Sequence, residues 1–268
     1  MLDSDSLAET AAWLWPAVAL ALGLIVGSFA NVCIHRLPLR ESVVSPRSRC
    51  PTCRKPIGAL DNVPVLSFLF LGGRCRHCRA RISWRYPAVE ATNGLLYLAV
   101  ALREGLSPSA LVHMVLITTL IVLSLIDLDH FILPNVITLP GIAFGFAASF
   151  LPGSAVDPLD SAKGALGGYL AFAAVAWAYE RLRHQEGLGQ GDWKLAAMLG
   201  AFLGWKRMGV TVFLASVAGS LIGGTLILLG RRDAGQKIPL GTYLGVAGIL
   251  SLFWGTDLID AYQALLHR

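Results

Sequence analysis

Apolar residues in this chain gather into long runs. They do not form the spaced stripe of a surface helix or the alternation of a half-buried strand. Eight runs stand out, at roughly 13–34, 88–102, 108–127, 131–151, 162–181, 193–205, 208–230 and 239–259. About 20 apolar residues cross the hydrocarbon core as a helix, and most of these runs approach that length. The second and sixth are short, which calls for tilt or partial embedding. The dyad pattern of a barrel wall is absent. The pattern predicts an all-α polytopic membrane protein of about eight transmembrane helices. One long polar stretch interrupts it, between the first and second runs. The expected organisation is an N-terminal segment and first helix over 1–35, an inserted domain over 36–87 and a transmembrane core over 88–268.

Composition agrees with the pattern. Of 268 residues, 55% are hydrophobic and only 15% charged, against about 25% in a soluble domain. Charge adds an orientation. Residues 36–85 hold eleven Lys/Arg and two acids, Glu41 and Asp61. A basic patch between two spans is what the positive-inside rule predicts for a cytoplasmic loop, so no nucleic-acid partner is expected. The loop is placed to meet anionic lipid headgroups. The extreme N-terminus is acidic (Asp3, Asp5, Glu9), unlike a cleavable signal peptide. It is expected outside, with loops 36–87, 128–130, 182–192 and 231–238 inside.

The basic loop contains "CPTC" (Cys50, Cys53) and "CRHC" (Cys75, Cys78). Each C-x2-C knuckle presents two thiolates to one ion, and two knuckles complete a closed tetrahedral Zn²⁺ site. Disulfides are disfavoured in a reducing compartment; an iron–sulfur centre is the other competing reading. Four thiolates leave no coordination position for a substrate, so the zinc is read as structural. His77 is the alternative ligand within the second knuckle.

Intramembrane ionisable groups are functional hypotheses by default. The third run ends in "LSLIDLDHFILPN", with Asp127 and Asp129, and "GLGQGD" brings Asp192 to the start of the sixth. The orientation above puts Asp127 and Asp192 at one membrane face. Two carboxylates that share a site do not both ionise easily, so the pair holds a proton. The charged member takes a proton from water while the neutral member donates one to a carbonyl oxygen. Gly189 and Gly191 are expected to adopt backbone angles closed to other residues, and Pro134 to loosen the fourth span beside Asp127. Against this stands a plain helix cap at Asp192. Asn31 and Asn93 read as hydrogen-bonding residues between helices.

These residues resemble the type IV prepilin peptidases, membrane aspartic proteases with a G-x-G-D motif. "GSFANVCIHRLP" (27–38) is similar to a family signature, as is "DNVPVLSFLFLGGRCRHCRARISWRYPAVE" (61–90) to the stretch around the second cysteine pair. "DLDHFILPN" (127–135) resembles a D-x6-P element, "GQGDWKLAAMLG" (189–200) the G-x-G-D motif and "KIPLGTYL" (237–244) a late K-I-P-x-G element. The resemblance implies Asp127 and Asp192 as the catalytic pair, Asp127 over Asp129 because Pro134 follows it by seven. It implies prepilin or pseudopilin substrates, cut after a glycine on the cytoplasmic side of a bacterial inner membrane. It also implies methylation of the new N-terminal amine from S-adenosylmethionine, with Gly27, Asn31, Arg36, Pro38 and Glu90 as candidate residues. Two rival classes remain: a cation- or proton-coupled transporter and a zinc-dependent assembly factor. No oligomeric state follows from the chain.

Overall fold

The computed structural model describes residues 4–184, 188–230 and 239–267. Among them the chain forms eight α-helices, one 3-10 turn and no strand. The helices are α1 (Ser4–Arg36), α2 (Leu66–Phe70), α3 (Arg85–Glu104), α4 (Pro108–His130), α5 (Asn135–Ala148), α6 (Pro158–Arg183), α7 (Gln190–Leu228) and α8 (Leu240–Leu266). The 3-10 turn is Ala59–Asn62. Two compact units divide the chain, Met1–Val122 and Leu123–Arg268, with the boundary inside α4. Arg231, Arg232 and the first two residues of "KIPLGTYL" lie outside the described residues.

The apolar runs correspond to helices, with two differences. The sixth and seventh runs are one helix, α7, bent where Gly204 takes φ 73 and ψ 170. The sequence suggested a connection at Lys206 and Arg207. The backbone breaks earlier, at the residue whose missing Cβ permits a positive φ. Among the described residues, four helices are long and apolar enough to cross a membrane: Trp13–Arg36, Pro108–His130, Gln190–Leu228 and Leu240–Leu266. The α3 and α6 helices, expected as spans, carry more polar residues, such as Glu90, Asn93 and Arg103 in α3 and Asp160, Lys163 and Arg181 in α6.

In the first unit, α1 packs on α3. The contact is tight because Gly23 faces Gly94; a Cβ at Gly23 would stand 2.8 Å from Gly94 Cα. Close backbones bring a polar group to a partner. Asn93, fully buried, donates from Nδ2 to Gly23 O at 2.7 Å. Its Oδ1 accepts from Thr118 Oγ1 at 2.8 Å, and Tyr97 Oη lies 2.8 Å from the same Oγ1. Thr118 spends its proton on Asn93, so Tyr97 is the donor to Thr118.

In the second unit, the first half of α7 is the central helix. Residues 195–204 are all buried, because α5, α6 and α8 pack around it. Small residues permit this. Gly164 of α6 meets the Gly200 backbone, and a Cβ at Gly168 would stand 2.7 Å from Ala196 O. Asp157 caps α6 by accepting from Leu159 N and Asp160 N, with Pro158 at the first helical position.

Candidate active site

The cysteine loop is built from two copies of one local fold. In the first knuckle, Arg54 N donates to Cys50 O and Cys50 N to Lys55 O. In the second, Arg79 N donates to Cys75 O and Cys75 N to Ala80 O. Arg54 and Arg79 take the same left-handed turn, at φ 57 and φ 58. One bridge closes each copy, Arg49 with Pro56 and Arg74 with Arg81. The four thiols converge, with their sulfurs within 4.8 Å of one another. Cys50 Sγ lies 3.7 Å from Cys78 Sγ. A tetrahedron of Zn–S bonds of about 2.3 Å sets its sulfurs about 3.8 Å apart, so the cluster fits zinc. Backbone N–H groups of Cys53 and Thr52 draw the Cys50 thiol down to about 6, which favours the thiolate a metal needs. His77 is exposed and outside the cluster. The Arg76 guanidinium grips Asp61 and holds its carboxyl below the usual carboxylate range.

The aspartates belong to the second unit. Asp127 sits in the last turn of α4 and is only 5% exposed. Its Oδ2 accepts from Thr242 N at 2.8 Å and faces Thr242 Oγ1 at 3.3 Å. Thr242 is in the first turn of α8, where its N–H reaches Pro239 O at only 3.2 Å and bonds the carboxylate more closely. Thr242 Oγ1 also donates to Ser124 O at 2.9 Å. Asp192 is half-buried in the first turn of α7. Its neighbour Gly191 packs on Leu133, the leucine that also faces Gly241 beside Asp127.

Leu133, in the short connection from α4 to α5, holds these pieces together. A Cβ at Gly191 would stand 2.9 Å from Leu133 Cβ, and one at Gly241 would stand 3.0 Å from both Leu133 Cδ1 and Asp127 Oδ2. Here the glycines allow close approach. The expected special backbone is not found: Gly189 is extended at φ −69, and Gly191 is helical. Gly189, not Asp192, is the N-cap of α7. Pro134 starts α5 as its N-cap and does not loosen it. Asp129 is exposed on α4, and Lys194 donates to Asn135 Oδ1 at 2.9 Å. Sequence reading passed over Thr242, Ser124 and Leu133. The helical spacing of Ser124 before Asp127 was a usable signal; Thr242 and Leu133 lay inside "KIPLGTYL" and "DLDHFILPN", segments that carried the resemblance, but their roles were not marked.

Comparison with known proteins now bears on this geometry. Residues 21–104 match the bacterial peptidase A24 N-terminal domain, and residues 114–224 match the type IV leader peptidase family. A prepilin leader peptidase/N-methyltransferase of Aeromonas hydrophila is 39% identical over 96% of this chain and 96% of its own. Its counterpart in Pseudomonas putida is 39% identical over 93% and 94%. The chain belongs to the prepilin leader peptidase/N-methyltransferase family. No solved structure matches it. These relatives are named as peptidases and methyltransferases, so the transporter expectation has no support.

As a member of that family, a multi-pass membrane protein, the chain also carries the stretch compared with methylation. Most of those residues are engaged in the first unit. A Cβ at Gly27 would stand 2.9 Å from Glu90 Cα, so Gly27 serves close packing. Asn31 Nδ2 donates to Tyr86 O at 3.1 Å. Glu90 Oε2 accepts from Val65 N at 2.7 Å, at a turn where Val65 takes φ 60. Arg36 donates to Ser42 O and Pro46 O, each at 2.8 Å, and shapes the start of the loop. Pro38 lies in the turn that follows α1. Beside them is a groove of about 540 Å³, lined among others by Ser28, Phe29, Arg36, Arg47, Asn62 and Pro64. Of the candidates, Arg36 alone is among its lining residues.

Proposed function

We propose that this protein removes the short basic leader of type IV prepilins or pseudopilins after a glycine, and N-methylates the new N-terminal residue. Cleavage takes place at the cytoplasmic face of the inner membrane, with the N-terminus of the chain outside. One observation supports the reading: Asp127 ends α4 beside the N-terminus of α8, and Asp192 opens α7 next to Gly191, which packs on the same Leu133 that faces Gly241 against Asp127.

The chemistry follows from two carboxyl groups and one water. The ionised carboxylate takes a proton from water as its oxygen bonds to the scissile carbonyl carbon. The protonated partner gives its proton to the carbonyl oxygen. Collapse of the tetrahedral species breaks the C–N bond, and the leaving amine takes a proton back. Thr242 fixes the plane of Asp127 by holding Oδ2. The four cysteines hold a structural zinc that orders the basic loop. The groove of the first unit lies in the size range of ligand sites, and Ser28, Phe29, Arg47 and Asn62 are among its lining residues. These residues would hold S-adenosylmethionine, which supplies an electrophilic methyl group to the new amine. Gly27, Asn31, Pro38 and Glu90 then act by shaping that groove.

The test uses purified wild type, Asp127→Asn, Asp192→Asn and Asp129→Asn, each confirmed to be folded, with prepilin cleavage followed by mass. The first two variants are expected to lose cleavage and the third to retain it. A folded Asp127→Asn or Asp192→Asn that cuts at the wild-type rate removes the proposed pair.

A further inference from the structure

Buried hydroxyls in the second unit follow a rule. Thr138 donates to Pro134 O at 3.4 Å, Ser149 to Phe146 O at 2.6 Å and Ser161 to Ala201 O at 2.7 Å. Thr211 and Ser251 both donate to Arg207 O at 2.9 Å. A serine or threonine in a helix has a carbonyl within reach by default. Ser124 breaks the rule. It is 6% exposed, and its Oγ has no hydrogen-bond partner among the described residues.

Its position gives the exception a meaning. Ser124 precedes Asp127 by three residues, which puts both on one face of α4. The Ser124 carbonyl accepts from Thr242 Oγ1, and Thr242 N–H holds Asp127. The unpartnered hydroxyl thus belongs to the residue one helical turn before the carboxylate, on the same face of α4. The indole Nε1 of Trp193, the residue after Asp192, is likewise buried without a partner. A buried polar atom without a bond costs stability, and alanine at position 124 would avoid that cost.

We infer that the Ser124 hydroxyl holds the attacking water against Asp127. The inference rests on the reading of Asp127 and Asp192 as the catalytic pair. Helix neighbours three residues apart have Cβ atoms about 5–6 Å from each other. One water making two hydrogen bonds of about 2.8 Å spans such a gap. The water gives one proton to the ionised carboxylate. Its second O–H points at Ser124 Oγ, which leaves an oxygen lone pair facing the scissile carbon. The hydroxyl gains and loses no proton in the step; it is a contact to the nucleophile.

The experiment compares full-length wild type, Ser124→Ala, Ser124→Thr and Asp127→Asn by thermal unfolding and by kcat and KM for prepilin cleavage. Ser124→Ala is expected to unfold at the wild-type temperature or higher, because the deleted hydroxyl had no partner. Its kcat is expected to fall about 10²-fold, the usual loss when one aimed hydrogen bond leaves a reacting centre, with KM unchanged. Ser124→Thr restores the hydroxyl and should recover kcat. Ser124→Ala at wild-type kcat, or with a raised KM alone, overturns the inference while a dead Asp127→Asn leaves the pair standing. A lowered unfolding temperature that accounts for the lost rate also overturns it, by giving Ser124 a packing role. A folded Asp127→Asn that cuts normally removes the pair and the inference together.

Discussion

Two sites in this molecule gather groups of like charge, and they differ in what relieves the repulsion. Four thiols meet within 4.8 Å in the first unit. In the second, Asp127 and Asp192 stand at helix ends gathered around Leu133. Each thiol sits on a knuckle whose backbone is already bonded, so the cluster is a rigid cage that one cation completes. The carboxyl pair has no such cage. Asp127 is held on one oxygen, and the hydroxyl one turn before it has no partner among the described residues. A closed set of ligands suits architecture. A carboxylate held on one side, beside an unpartnered hydroxyl, leaves room for chemistry.

The largest expected effect tests the closed side. Cys53→Ser removes one of four ligands, and structural zinc supplies about 10–16 kcal/mol to small metal domains. Metal analysis should find zinc lost from the purified variant, and limited proteolysis should open the chain between Cys50 and Cys78. Acid should do the same to wild type. The Cys50 thiol lies at about 6 in the folded loop, below its ordinary 9.0. Cys78 in the same cluster is pushed up to about 11, so no single thiol sets the transition; zinc should leave as falling pH protonates the thiolates that bind it. Retained zinc in Cys53→Ser would mean that the cage is not closed, and the contrast between the two sites would narrow.

Gly241→Ala tests the other side and should act on geometry more than on folding. The added methyl would stand 3.0 Å from the Asp127 carboxyl carbon and from Leu133 Cδ1. Overpacking of this kind costs about 1–3 kcal/mol. Displacing a catalytic group by about 1 Å costs about 10²-fold in rate. Thermal unfolding should therefore drop slightly while kcat drops strongly. An equal fall in both would show that Gly241 supports the fold alone.

The same contrast explains what could be read in advance. Cys50, Cys53, Cys75 and Cys78 were legible because a metal knuckle is local: three residues of spacing carry the whole geometry. The apolar runs were legible for the same reason, since lipid demands length within one segment. Asp127 and Asp192 came from orientation and from the resemblance. The α7 bend was misplaced because hydropathy marks Lys206, whereas backbone freedom belongs to Gly204. The segment of Thr242 was marked by the resemblance but its role was not legible, since it depends on α8 beginning beside the end of α4, a meeting 115 residues apart in sequence. Asn93 was read as an interhelical bond, and so it is, because a lone amide in an apolar helix has few other uses.

Thr242 also gives the smallest expected effect, through Thr242→Val, which deletes the hydroxyl and keeps the backbone N–H. That hydroxyl has one proton and two acceptors in reach. Ser124 O is 2.9 Å away and Asp127 Oδ2 is 3.3 Å away. The shorter contact takes the proton, so Asp127 is held chiefly by the N–H at 2.8 Å, which valine retains. A neutral hydrogen bond contributes about 1 kcal/mol, so kcat/KM should fall only a few-fold and unfolding should barely move. A loss beyond about 10²-fold would reverse the assignment, because deleting a bond to a charged group costs more than deleting a neutral one. The hydroxyl proton would then sit on Asp127, and the carboxylate would be held from two directions, closer to the caged thiols than the present contrast allows.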